Sequence, residues 1–168
     1  ITITIEVNIS GGLHYYIVGL PDNAVKESML RVETAIHTSR FNMPRKRIIV
    51  NLAPADIRKE GSAFDLAIAI GILAGSDQVL SHKLDQYIIM GEVSLDGGLQ
   101  PIKGALPIAI QARKEGFKGM ILPKANAREA AIVGNFEVYG MDTLLDVINF
   151  FNDSHVFKPT IVDTREEF

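Results

Sequence analysis

Ser62 is the side chain in this sequence whose setting best fits covalent chemistry. It lies in KEGSAFDLAIAIG, residues 59–71, directly before a long apolar run that predicts a helix. A serine at the start of a helix can act as a nucleophile when a histidine, or a lysine of lowered pKa, takes its proton. The lysines that the motifs place nearest are Lys59 and Lys103. One interpretation of this segment is therefore a serine–lysine catalytic pair.

A purely structural interpretation fits the same residues. Ser62 and Asp65 have the spacing of a capping box, in which the serine oxygen accepts a hydrogen bond from a free backbone N–H of the first turn. The Asp65 carboxylate would then lie where the helix dipole favours negative charge. Because a buried carboxylate needs a partner, Asp65 is also predicted to cap the helix or to pair with a cation, such as Arg58 or Lys59.

The sequence lacks the motifs of metal and nucleotide chemistry. It contains no cysteine, which excludes thiolate metal ligands and a cysteine nucleophile. It has neither a G-x-x-x-x-G-K-[ST] string nor a G-x-G-x-x-G loop, the two glycine patterns that hold phosphates. The histidines are scattered without the spacing of metal ligands: His14, His37, His82 and His155. We therefore predict no metal site and no cofactor in this chain.

Length and composition favour one soluble domain. The 168 residues are 47% hydrophobic and 22% charged, which suits a domain with a substantial core. The formal net charge of -3 gives no overall basic field for nucleic acid, although a local basic face is compatible with it. No signal peptide or membrane span is predicted, and a reducing cytoplasm is expected. The chain begins inside the alternating pattern ITITIEVNI, so we expect a piece of a longer protein.

Hydrophobic periodicity predicts strands first and then alternating helices and strands. Residues 2–9 and 14–18 are predicted to form a hairpin around Ser10-Gly11-Gly12. In the first half a helix over 22–39, a buried strand over 47–52 and a buried helix over 63–75 follow.

The second half continues the alternation. We predict strands at 87–95, 120–123 and 136–139 and helices at 105–114, 126–132 and 143–151. A turn is predicted at Asp96-Gly97-Gly98, and Asn126 is predicted to cap the helix over 126–132. The first domain is predicted to span 1–152, and residues 153–168 are interpreted as a linker. Together these elements predict an α/β or α+β fold, a mixed sheet covered by helices.

Four long segments follow the pattern of a known family. They are VGLPDNAVKES, RIIVNLAPADIRKEGSAFDLAIAIGILA, IIMGEVSLDGGLQPIKGALPIA and ILPKANAREAA. Over nearly all of residues 2–150 the chain resembles the N-terminal domain of the ComM-type, magnesium-chelatase-like ATPases. The resemblance implies a following AAA+ ATPase domain that binds ATP and Mg²⁺, a hexameric parent protein, and DNA branch migration during natural transformation. It also implies the Lon-protease-like fold of the ribosomal-protein-S5-domain-2 class, which the DNA-repair protein RadA shares.

The same resemblance implies that the protease chemistry is absent. The Lon active segment runs lysine, acid, glycine, proline, serine, alanine, so its proline falls at Ser62 and its nucleophile at Ala63. The Lon lysine falls at Leu106 in PIKGAL. The two members of the dyad are therefore replaced by Ala63 and Leu106, and a dyad shifted to Ser62 and Lys103 stays open as an alternative. A shift of one residue at a helix start turns a side chain by about 100°.

Three functions are compatible with this interpretation. The first is a non-catalytic assembly and DNA-contacting domain, which meets phosphates through basic side chains. The basic residues proposed for it are Arg45, Lys46, Arg47, Arg58, Lys59, Arg113, Lys114 and Lys118. The second is the shifted Ser62–Lys103 peptidase. The third is a protein-recognition module that uses the former peptide groove beside the helix near Ser62 by strand addition.

Overall fold

The structure is a computed structural model, and it describes residues 4–10, 15–18, 22–45, 47–53 and 62–163. Within these residues the strands and α-helices alternate as an α/β fold, as the sequence predicts. In chain order the elements are β1 (Thr4–Ser10), β2 (Tyr15–Val18), α1 (Asp22–Thr38), β3 (Arg47–Ala53), α2 (Asp65–Gly75), β4 (Tyr87–Ile89), β5 (Glu92–Val93), β6 (Leu99–Gln100), α3 (Ala105–Lys114), β7 (Gly119–Pro123), α4 (Ala127–Ala131), β8 (Glu137–Met141) and α5 (Leu144–Phe151).

The first sheet has the order β1-β3-β2, so the predicted hairpin of the first two strands is wrong. β3 lies between them, antiparallel to β1 and parallel to β2. The apolar run RIIVNL of β3 is typical of a strand that is covered and paired on both sides, and it takes the central position. Period-two alternation predicted the strands correctly, but it carries no information about which strand pairs with which.

The second sheet has the order β4-β7-β8, and its strands are all parallel. The predicted strand over 87–95 is divided at Gly91. Met90 N still donates to Ile121 O of β7, but Gly91 N donates to Ala63 O instead, at 2.9 Å. The chain leaves the sheet there and forms the small antiparallel hairpin of β5 and β6 around the predicted turn at Asp96-Gly97-Gly98.

Two hydrophobic clusters cover the two faces of the second sheet. Alternate residues of β7 divide between them, because Ile121 belongs to the first cluster and Met120 and Leu122 belong to the second. The first cluster is the larger one, and it joins both sheets to α1, α2 and α5. The second cluster is formed mainly by α3, α4 and the other face of the sheet.

The helices follow the sequence prediction closely away from α2. Predicted helices over 22–39, 105–114 and 143–151 correspond to α1, α3 and α5. Thr143 precedes α5, and its hydroxyl accepts a hydrogen bond from Asp146 N at 3.1 Å, which is the contact of an N-cap. Among the described helices, none is long and apolar enough to cross a bilayer.

After α5, residues 153–163 have no helix or strand but remain in contact with the domain. Phe157 packs against the first cluster, and Thr160 N donates to Val138 O of β8 at 2.7 Å. The prediction of a linker over 153–168 stays a prediction.

Candidate functional site

The turn before α2 is fixed by backbone hydrogen bonds to the segment between β4 and β5. Asp65 N donates to Ser62 O at 3.0 Å, which closes the turn. Gly91 N donates to Ala63 O, and Leu66 N donates to Gly91 O at 3.0 Å. A side chain at position 91 would meet Leu66 Cδ2 at 3.3 Å, which is tighter than an ordinary contact, so glycine permits this close approach.

The predicted capping box of Ser62 and Asp65 is wrong. α2 begins at Asp65, and the preceding residue is Phe64, whose backbone is helical and whose side chain makes no capping hydrogen bond. Ser62 therefore lies too far before the helix for its oxygen to take the N-cap position, and it contributes its backbone carbonyl instead. Asp65 is the first residue of the helix, whereas a capping box requires the acidic partner at the third residue of the helix.

Asp65 is instead the centre of a buried ion pair. Its side chain is only 1% exposed, and Arg31 of α1 donates to it twice, from Nε to Oδ2 at 2.6 Å and from Nη2 to Oδ1 at 3.1 Å. Ser28 Oγ donates to Oδ1 at 2.7 Å, and Val93 N donates to Oδ2 at 3.3 Å. Asp65 thus joins α1, α2 and β5 through a single carboxylate.

The prediction that Asp65 pairs with a cation is confirmed, but the cation is Arg31. The proposed partners Arg58 and Lys59 lie outside the described residues. Burial raises the pKa of the Asp65 carboxyl, and the hydrogen bonds from Arg31 and Ser28 oppose that rise. The hydrogen bond to Asp65 raises the pKa of Arg31. The two-pronged contact is typical of arginine, whose planar fork matches a carboxylate.

The two positions that the resemblance assigns to the Lon dyad lie in the turn before α2 and in the first turn of α3. Ala63 is half-buried in the turn before α2 and packs against the second cluster, to which Ala105 of α3 also belongs. Leu106 is the second residue of α3, and its N–H donates to Glu129 Oε2 at 3.2 Å. Neither side chain carries a group that can attack a carbonyl or accept a proton.

Asn126 holds the loop that precedes α3, and the sequence prediction missed this role. Its side chain is buried, its Oδ1 accepts from Ile102 N at 2.9 Å, and its Nδ2 donates to Ile102 O at 2.9 Å. The predicted capping contact to α4 is not formed, although Asn126 does precede that helix. No local pattern indicates a partner 24 residues away in the chain.

The shifted pair of Ser62 and Lys103 is not joined by a hydrogen bond in the part of the chain that the structure describes. Ser62 is half-buried, whereas Lys103 is exposed in the loop before α3. A lysine that serves as a base needs a lowered pKa, which burial or a neighbouring cation would have to produce.

The basic candidates for DNA contact differ in their surroundings. Arg113 Nη1 donates to Val133 O at 2.6 Å and to Gly134 O at 2.9 Å, so this guanidinium is engaged at the end of α4. Lys118 Nζ lies 3.8 Å from Glu137 Oε2. Arg45 and Lys114 are exposed. Lys46, Arg58 and Lys59 lie outside the described residues, and only the backbone of Arg47 is described, in β3.

The described residues contain no group of three or more histidine, aspartate and glutamate side chains that could hold a metal ion. His82 Nε2 lies 3.3 Å from Asp153 Oδ2, and the His155 ring lies 6.3 Å from the Phe157 ring. His37 is exposed in the last turn of α1, and His14 lies outside the described residues.

Comparison with known proteins places this arrangement in a family. A family model described as subunit ChlI of Mg-chelatase matches residues 5–126. The chain is 46% identical over 151 residues to competence protein ComM of Haemophilus influenzae, which covers 89% of this chain and 30% of that protein. It is 43% identical over 167 residues to the uncharacterized protein YifB of Escherichia coli, which covers 97% of this chain and 33% of YifB.

A more distant similarity agrees with the fold. The chain is 26% identical over 173 residues to Lon protease 2 of Bacillus subtilis, across 96% of this chain and 30% of that protease. The chain spans about a third of the length of the curated relatives that it matches. The chain therefore belongs to the ChlI family of Mg-chelatase-like proteins, in which it corresponds to the N-terminal, Lon-like domain of the ComM type.

Proposed function

We propose that this chain is a non-catalytic assembly and DNA-contacting domain of a bacterial ComM-like AAA+ ATPase. In this proposal the ATPase part of the parent protein binds ATP and Mg²⁺, assembles as a cytoplasmic hexamer and drives DNA branch migration during natural transformation. The domain described above supplies a rigid body that stacks on the ATPase ring and meets the phosphates of the passing DNA. No ligand other than DNA is proposed for it.

The observation that carries the proposal is that the two positions which the resemblance to Lon assigns to the catalytic dyad hold alanine and leucine, at Ala63 and Leu106. The similarity to ComM covers 89% of the chain and includes both segments. A fold whose catalytic positions hold an alanine and a leucine, and whose helix starts are fixed by Gly91, Asn126 and Glu129, favours a structural role. In this proposal the full-length parent protein is the enzyme, and this chain is one of its non-catalytic domains.

Strand addition beside α2 is less favoured by the same contacts. The backbone N–H of Gly91 is used by Ala63 O, and its C=O is used by Leu66 N. An extended peptide needs free backbone groups on the strand that it joins. The stretch that faces the start of α2 has these groups of Gly91 already occupied.

The non-catalytic role predicts that the chain has no peptidase activity. With Ala63 and Leu106 at the dyad positions, and with an exposed Lys103, we expect hydrolysis of fluorescent casein and of short peptides at the level of buffer alone. The variants Ser62→Ala and Lys103→Ala should show the same rate of hydrolysis as the unmutated chain. Hydrolysis above background that disappears in Ser62→Ala would establish the shifted dyad and refute the proposal.

The DNA-contacting role predicts salt-sensitive binding that depends on the basic segment at 45–47. Fluorescence anisotropy with single strands and forked duplex should show binding at low salt that falls steeply as salt increases, because released counterions drive phosphate contacts. Charge reversal of Arg45, Lys46 and Arg47 to glutamate should weaken binding at least tenfold and should flatten the salt dependence. For duplex DNA, each lost contact reduces the slope by about 0.9.

The control is a reversal with the same change in net charge at other exposed lysines. Lys26, Lys124 and Lys158 are exposed and outside the proposed set. If their reversal weakens binding as much as reversal at 45–47, the effect is general electrostatics and the site assignment is wrong. If the unmutated chain shows no DNA binding even at low salt, the DNA-contacting role is refuted for this domain and the assembly role remains.

A further inference from the structure

The end of the chain crosses one edge of the second sheet. β8 is the last strand in the order β4-β7-β8, so its outer side has no strand partner among the described elements. Residues 153–163, here called the strap, run across that side. Phe157 packs against the first cluster, which covers one face of the sheet, and Val162 packs against the second cluster, which covers the other face.

The strap meets the edge of β8 through a backbone hydrogen bond but does not form a strand there. Between its two apolar anchors, Thr160 N donates to Val138 O at 2.7 Å. Two apolar side chains of the strap are exposed to solvent, Val156 at 96% and Ile161 at 83%. A surface cavity of about 520 Å³ lies beside this contact, and its lining includes Lys118, Glu137 and Ile161. The strap therefore covers an edge that would otherwise be open for pairing with another chain.

The strap is joined to α5 through Asp153. Its φ of 56 lies in the left-handed region, which is uncommon for residues other than glycine although aspartate enters it more readily than most. Contacts to the preceding loop hold it there. Lys83 Nζ donates to Asp153 Oδ1 at 2.7 Å, and this hydrogen bond lowers the pKa of the Asp153 carboxyl. The same Nζ donates to Phe150 O at 2.9 Å. Extending the chain at Asp153 would move this residue to a commoner backbone conformation.

We propose that the strap can leave its own β8 edge and bind the β8 edge of a second copy of this chain, which makes this edge a self-association surface. The occupant follows from the structure, because the strap of a second copy offers the same contacts that the edge already receives. An exchange of identical elements is a low-cost route to association, since every contact that is lost within one chain forms again between two. The inference goes beyond the proposed function and stands without it, because it requires neither DNA nor ATP.

Shortening the strap tests the proposal by gain of association. Deletion of Ser154, His155 and Val156 reduces the reach of the strap by up to about 10 Å, so that it no longer returns to its own edge. We expect this variant to sediment as a dimer in analytical ultracentrifugation. The unmutated chain should be mainly monomeric at the same concentration. Adding Phe157→Ala to the shortened chain should restore the monomer. A shortened chain that folds and stays monomeric at all concentrations would overturn the proposal.

A second measurement decides the matter if the shortened chain does not fold. The chain has no cysteine, so a pair of single-cysteine variants reports the approach of two chosen positions, and Lys118 and Ile161 line the same surface cavity. Lys118→Cys and Ile161→Cys are made separately with different mass tags, and the two proteins are mixed, kept near the unfolding midpoint, cooled and oxidised. We expect a higher yield of disulfide-linked heterodimer than in a control mixture. In the control, Leu30→Cys, at an exposed position of α1, replaces Ile161→Cys. Equal yields in the two mixtures would refute exchange of the strap.

Discussion

Replacing Arg31 by methionine is expected to lower the free energy of unfolding by about 3–5 kcal/mol, because it leaves a buried carboxylate without its counter-charge. Asp65 is 1% exposed, and among the described residues its remaining donors would be Ser28 Oγ and Val93 N. Urea unfolding followed by circular dichroism at neutral pH measures the loss. In a chain of this size, each kcal/mol corresponds to about 2–4 °C in the melting temperature.

Asp65→Asn is the matched variant, and we expect it to cost less than Arg31→Met. The side chain of Arg31 is 21% exposed, so its charge can reach water once the carboxylate is gone. The amide oxygen of asparagine can still accept from Ser28 Oγ or Val93 N, and the cost is then about 1–3 kcal/mol. The double variant should cost less than the sum of the two single variants, because both remove the same pair. If Arg31→Met costs no more than Asp65→Asn, the ion pair does not hold the three elements together.

The deficit of Arg31→Met should depend on pH, with a definite sign. Burial already raises the pKa of Asp65, and loss of Arg31 raises it further. A carboxyl whose pKa is higher in the folded state than in the unfolded chain favours folding below its unfolded pKa and loses that contribution as pH rises through the folded pKa. The deficit is therefore expected to be smallest in acid and largest at neutral pH. A deficit that grows toward acid would contradict this account.

Local patterns in the sequence were enough for most elements but not for their partners. The stripe of apolar residues in α1 and the Pro107 position in α3 predicted these helices within one residue of their observed ends. The same local logic assigned Ser62 and Asp65 to one cap. Asp65 instead bonds to Ser28 and Arg31, which lie 37 and 34 residues earlier in the chain, and no spacing rule reports such a contact.

The prediction of strand pairing failed for the same physical reason. β1 and β2 follow each other closely and alternate correctly, but an apolar β3 gains more by lying between them than at an edge. The division at Gly91 depends on the turn at Ala63, which lies 28 residues earlier in the chain. The positions Ala63 and Leu106, in contrast, were identified from motif similarity, and the structure has Ala63 in the turn before α2 and Leu106 in the first turn of α3.

The second large effect is expected for Phe150→Ala, which should cost about 3–5 kcal/mol as a truncation of a buried aromatic side chain. Phe150 lies at the centre of an aromatic group, with ring centroids 5.4 Å from Tyr87, 4.8 Å from Tyr139 and 5.1 Å from Phe151. These rings belong to β4, β8 and α5, so a single truncation loosens the sheet from its last helix. Urea unfolding measures the loss, and Leu145→Ala, an exposed change on the same helix, should stay within about 0.5 kcal/mol of the parent chain.

Phe150 also connects the core to the strap. Its effects on the strap and on the core can be measured separately. The Phe157 ring lies 6.0 Å from it, and Lys83 Nζ lies 4.2 Å from its ring centroid while also holding Asp153. Phe157→Ala should therefore speed hydrogen exchange at the Thr160 amide while costing the domain much less than Phe150→Ala, because Phe157 is half-buried. Phe150→Ala should both speed that exchange and weaken the near-ultraviolet signal of the tyrosines, which report the core in a chain without tryptophan. If Phe150→Ala leaves exchange at Thr160 unchanged, the strap is anchored independently of α5 and the link between core and strap fails.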